Sequence, residues 1–222
     1  MTGHIMRLFT DRFDPGAELE HPLPPGTRYM YLAEGMATVR SEGASATMAA
    51  NSGWCHNGAV DIKAGANGAV ILRWELYRLP QPDHGIAMGD GISSRLTLNA
   101  EMTLDDPDGY LLRGDKVELP PGGIAYTHTH QGGGIRCLLV GEFNVDVEGD
   151  TKVIKPYEAW FERGPDPVYA WAPDDKPGHF ARVMILPRRL KGKSSISYVK
   201  PEDKDIPKKQ TYTFFADEII EI

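Results

Sequence analysis

The chain has 222 residues, 41% of them hydrophobic, enough for one large domain or two small ones with real cores. A formal charge of -7 and a pI near 5.5 argue against a nucleic-acid surface, which needs clustered Lys and Arg. The 24 glycines and 17 prolines stand between short β-branched and aromatic runs, so many strands joined by turns are expected, not a helical bundle.

In chain order, residues 1–6 begin and end on Met and are expected to be a leader outside the fold. Strands follow at 28–33 and 36–40, flanking Gly35, then at 53–56 and 69–76. The stretch 77–100, rich in Pro, Asp and Gly, is expected to join two halves. The second half reads as strands at 115–119, 125–130, 135–140, 142–147, 152–154, 159–162 and 180–186. Beyond Pro187 a charged tail carries two more strand candidates, 195–199 and 211–215, expected to cross over to the other half or to a second subunit. Short strands at this spacing suggest barrels or sandwiches. The basic run 188–193 reads as a solvated loop. Cys55 and Cys137 form no spaced framework, and no early apolar segment or membrane-length run occurs, so a cytoplasmic protein with no membrane partner is expected.

An internal repeat emerges when residue 16 is laid on residue 122. Without a gap, Gly26 falls on Gly132, Leu32 on Leu138, Gly35 on Gly141, Val39 on Val145, Gly43 on Gly149, Trp54 on Trp160 and Gly58 on Gly164. Turn glycines and core apolar residues fix a backbone path, so two copies of one β-unit are expected. Trp54 and Trp160 read as core residues, and His21 and His56 as structural histidines.

The densest chemistry lies at 121–142. Alternation along a strand would place Tyr126, His128 and His130 on one surface, with 131–134 as the turn and 135–140 as a buried return strand. Two imidazoles on one wall make half a metal site. The glycine run 132–134 follows no strand-to-helix pattern, so no phosphate loop is expected.

The stretch 122–141, with a glycine, His-x-His and a closing Gly141, resembles the first motif of the cupin superfamily. The second motif resembles 155–170, with Glu158 at the acidic position and Pro167 at the proline. The resemblance implies two tandem cupin-type double-stranded β-helix (jelly-roll) barrels: a degenerate one at 1–80, a linker at 81–110, a second at 111–187 carrying the site, and a tail with added strands at 188–222. The family's metal-binding glutamate falls on Gly133 or Gly134, and its third histidine on Val168 or Tyr169. In the first copy Pro22 and Pro24 replace the histidines and Arg28 the glutamate, so no metal is expected there.

A two-histidine remnant needs further donors. Glu162, on a strand that approaches the hairpin in a cupin, could supply a carboxylate; Tyr126, Gln131, Tyr169 and His179 are weaker candidates. Arg136 would point inward, toward either an anionic substrate or Glu162. The resemblance implies a small-molecule enzyme with a divalent metal (Fe, Mn, Zn or Ni) on His128 and His130, acting on a small organic acid as a dioxygenase, lyase or hydrolase. In that reading Arg136 and Tyr169 bind substrate, and Tyr126 or Glu162 moves a proton. The alternatives are a metal-free binding or sensing protein and a metal-free isomerase or epimerase. A homodimer paired through edge strands is implied as well.

Overall fold

The computed structural model describes residues 3–80 and 85–222. The chain divides into two compact units, Met1–Asp105 and Asp106–Ile222. Both are all-β, and among the described residues no helix is long and apolar enough to cross a membrane.

The first unit contains β1 (Gly3–Phe13), β2 (Thr27–Ser41), β3 (Ala44–Ala49), β4 (Ser52–His56), β5 (Asp61–Arg78) and β6 (Ile92–Thr103). They form one antiparallel sheet in the order β3-β2-β5-β1-β6, with β4 also on β2. The long pair β2 and β5 shifts register twice, around Glu34 and around Gly35, which lets it bend. At the bend Gly35 has φ +77°, and a Cβ there would meet the Gly68 carbonyl oxygen at 2.1 Å, so only glycine fits. Met30, Leu32, Val39, Val60, Ile62 and Ile71 fill the core.

The second unit contains β7 (Tyr110–Leu119), β8 (Ile124–His130), β9 (Gly134–Gly141), β10 (Phe143–Val147), β11 (Asp150–Ile154), β12 (Ala159–Glu162), β13 (Val168–Trp171), β14 (Gly178–Pro187), β15 (Ile196–Tyr198) and β16 (Thr211–Ile220). Two five-stranded sheets, β11-β10-β13-β8-β15 and β12-β9-β14-β7-β16, share a core of alternating inward residues. At its centre Phe143, Trp160 and Phe180 pack with ring centroids 5.2–5.7 Å apart. Trp160 is thus core, as expected, while Trp54 is half-buried and stacks on His56 at 4.7 Å. His21 is exposed.

The repeat holds in the strand pairing itself. Met30 faces Trp54 and Arg28 faces His56; 106 residues on, Arg136 faces Trp160 and Gly134 faces Glu162. Val39 opposite Ala46 recurs as Val145 opposite Lys152. The outer strands repeat too: Asp11 faces Ser94 on β6 and Val117 faces Tyr212 on β16, with a bulge at the equivalent step, after Leu8 in one unit and after Gly114 in the other.

Three expectations are corrected here. Residues from Gly3 onward are not a leader but the strand between β5 and β6, buried almost throughout because Arg7 and Asp11 make their charge contacts inside. The stretch 81–110 is not simply a linker: 92–103 is β6, whose inward Leu98, Ala100 and Met102 alternate with exposed polar residues. Residues 81–84, at its head, lie outside the described residues. The tail strands do not leave their own unit, since β15 pairs with β8 and β16 with β7.

Candidate metal centre

Alternation alone does not build the site. His128 faces Val168 across β13, but Ala170 faces Ala125, so Tyr126 and Thr127 together oppose the single residue Tyr169. This bulge shifts the phase of β8. Ala125, His128 and His130 line the inner cavity, while Tyr126 does not, contrary to the shared face expected for it. The Tyr126 ring instead lies beneath Lys208, with Nζ 5.1 Å from its centroid.

Both imidazoles are held from the outside. His128 Nδ1 lies 2.7 Å from the Tyr126 carbonyl oxygen, which can only accept, so Nδ1 carries the proton and Nε2 keeps its lone pair. His130 Nδ1 lies 3.3 Å from Ser195 Oγ, and its Nε2 is 3.7 Å from Glu162 Oε2. Burial holds His128 below the ordinary histidine range. Burial, together with the positive charges of Arg136 and Arg182, holds His130 well below it. Both rings are therefore neutral near pH 7, the state a metal ion requires, and the His130–Glu162 contact is not an ion pair.

Glu162 supplies the third donor. It stands directly opposite Gly134, one of the two positions, Gly133 or Gly134, on which the glutamate of the resembled motif is expected to fall. A Cβ on Gly134 would meet the Val183 carbonyl oxygen at 2.1 Å and Met184 Cα at 2.8 Å, which leaves no room for a side chain there. Trp160 Nε1 donates to Glu162 Oε1 at 2.8 Å, and Arg136 Nη2 lies 2.6 Å from Oε2. Arg136 Nη1 donates to the Gly134 carbonyl oxygen at 2.5 Å. Burial pushes the Arg136 guanidinium down to about 10, against the pull of Glu162, and it remains a cation at neutral pH.

One donor atom from each of His128, His130 and Glu162 lies within 4.8 Å of the others. Two imidazoles and a carboxylate are a donor set that suits Fe, Zn or Mn. Each carboxylate oxygen retains a lone pair beyond its present contact. The inner cavity measures about 30 Å³, room for one water or one ion. Arg182, also on its wall, is neutralised by a two-point contact with Asp115 at 2.7 and 2.9 Å.

The other expected residues lie elsewhere. Tyr169 packs on Trp171 at 5.3 Å and lines neither this cavity nor the larger one beside it. The larger cavity, about 590 Å³, shares His130, Arg182, Ile196, Gln210 and Tyr212 with the inner one. His179 sits 3.6 Å from Glu118, and Gln131 accepts from Arg189 at 3.4 Å, both outside the centre. Val168, the other third-histidine position, is core. Arg182, on the β14 wall, is missed by sequence reasoning, as are the tail residues Ser195, Gln210 and Tyr212. The tail residues reach the site only because the tail folds back, and no local motif marks them.

No family model and no curated relative matches the sequence. Among solved structures the chain is similar to AerE from Microcystis aeruginosa, at 11% identity and TM-score 0.60 over 82% of this chain and 88% of that one. It is also similar to oxalate decarboxylase OxdC from Bacillus subtilis. A deletion mutant of that enzyme matches at 13% identity and TM-score 0.62 over 90% of this chain and 73% of that one. A structure at pH 4.6 matches at 13% identity and TM-score 0.61 over 90% and 72%. At such identity the likeness carries the architecture alone, and that architecture is the cupin fold.

Proposed function

We propose that both units are cupin barrels and that the second is a metal-dependent enzyme acting on a small organic acid, with His128, His130 and Glu162 holding a divalent ion. The observation that carries this reading is the convergence of three buried donors on one small cavity, with both histidine Nδ1 atoms engaged away from it. A bound Fe, Mn, Zn or Ni ion would supply Lewis-acid or oxygen-dependent chemistry. The protein's part is positional. Tyr126 O and Ser195 Oγ fix the rings, Trp160 and Arg136 fix the carboxylate, and the cationic outer cavity admits an acid. Arg136, expected to meet either an anionic substrate or Glu162, contacts Glu162 at 2.6 Å and holds it. Of the three reaction types we place lyase chemistry first, the type named for the decarboxylase that shares the fold.

The test is turnover of a panel of small organic acids, oxalate included, by protein loaded with each metal. Turnover abolished by chelation and by Glu162→Gln is expected; turnover indifferent to both overturns the proposal. The 2.6 Å Arg136–Glu162 contact favours a second reading, a metal-free binding protein, because a buried guanidinium beside the third donor opposes a second cation. That reading predicts ligand affinity that survives chelation and loss of either histidine.

A further inference from the structure

The folded-back tail lines one side of the half-open outer cavity of about 590 Å³, which lies within the roughly 300–1,000 Å³ typical of small-ligand sites. Its apolar walls are Ile196, Tyr198, Tyr212 and Phe214; of the four Arg and Lys side chains that face it, Arg182 is paired with Asp115 and Arg113 with Asp217, which leaves the charges of Lys193 and Lys208 in excess. Gln210 stands where the outer and inner cavities meet and lines both. It is only 9% exposed; its Nε2 donates to the Tyr212 hydroxyl at 3.3 Å, and its Oε1 has no hydrogen-bond partner. A buried acceptor left without a donor is destabilising unless something else supplies one.

We propose that this chamber takes a hydroxy-substituted organic acid larger than oxalate, whose hydroxyl donates to Gln210 Oε1. The excess of cations selects the acid. The orphaned acceptor selects the hydroxyl, since a site built to hydrogen-bond a group rejects the analogue that lacks it. The apolar walls and the volume select a body beyond two carbons. The inference rests on the reading of this unit as an acid-binding one, but not on its metal.

The test is calorimetric titration of the full chain, metal-free and metal-loaded, with two matched pairs: malate against succinate, and mandelate against phenylacetate. In at least one pair the hydroxy acid binds about tenfold more tightly. Gln210→Leu abolishes that preference, and Tyr212→Phe, which leaves Oε1 in place, keeps it. Thermal melting verifies folding, and Gln210→Met replaces the Leu variant if that one fails to fold. Equal affinities within both pairs, no binding of any acid, or a preference that persists without Gln210 overturns the inference. A hydroxyl preference in a protein that binds no metal leaves it standing while overturning the metal-dependent function; metal binding without the preference does the reverse.

Discussion

Where β2 carries Arg28, β9 carries Gly134; where β5 carries Glu75 opposite it, β14 carries Met184; and where β4 carries His56, β12 carries Glu162. In the first unit these positions close on themselves. Arg28 Nε contacts Glu75 at 2.7 Å, and its other nitrogens donate to the Pro24 and Gly58 carbonyl oxygens. Arg73 bridges Asp11 at 2.7 Å and Glu75 at 2.8 Å, and the Tyr77 hydroxyl donates to Glu75. Two guanidinium groups and two carboxylates thus neutralise one another in the interior, with prolines where the second unit has histidines. The second unit keeps one such pair, Arg182 with Asp115, and gives up the other. Gly134 and Met184 stand in place of Arg28 and Glu75, and the cavity beside them is lined by two neutral imidazoles and a carboxylate. One pairing scheme thus yields an ionic plug in one unit and an open donor set in the other.

Breaking the plug has the largest expected effect. Glu75→Gln removes the shared partner of Arg28 and Arg73, two guanidinium groups that cannot lose their protons, and should cost about 3–5 kcal/mol in urea unfolding. A cost near zero would mean that the network is dispensable. Placing a glutamate at Gly134, opposite Glu162, is next. Gly134→Glu drives a side chain into the backbone of Val183 and Met184 and should cost about 3 kcal/mol without improving metal affinity.

The third prediction uses pH. His128 and His130 are held below their unfolded value of 6.5, so the unfolded chain binds more protons between the folded and unfolded values. Stability of the metal-free protein is therefore full above about pH 6.5 and falls as the pH drops below it, by about 1.4 kcal/mol per unit for each histidine. Urea midpoints from pH 7.5 to 5 should show this slope, and the double alanine variant should flatten it. The smallest effect is expected from Tyr126→Phe, which touches neither cavity; metal affinity and acid binding should stay within twofold, and a large loss would return Tyr126 to the site.

Much of this was legible in sequence, and the limits have physical causes. The 106-residue repeat could be read because turn glycines such as Gly35 and Gly141 sit at positive φ against a neighbouring backbone, where side chains are refused. His128 and His130 were legible as partners because both lie beyond the bulge. Tyr126 was misplaced because a one-residue bulge leaves no trace in apolar alternation. β1 was missed because its buried charges mask its periodicity; β6 did alternate, at Leu98, Ala100 and Met102, but behind a run of Pro, Asp and Gly. Glu162 was named, yet its place opposite Gly134 is a matter of register, and the tail residues Ser195 and Gln210 arrive through long-range pairing.

The most direct measurement is elemental analysis of untagged protein after reconstitution with Fe, Mn, Zn or Ni, beside the His128→Ala/His130→Ala double variant. The account predicts one ion per chain, lost in the variant, because the ionic plug leaves the first unit without a site. Metal retained by the variant, a second ion per chain, or no metal in either protein would contradict it.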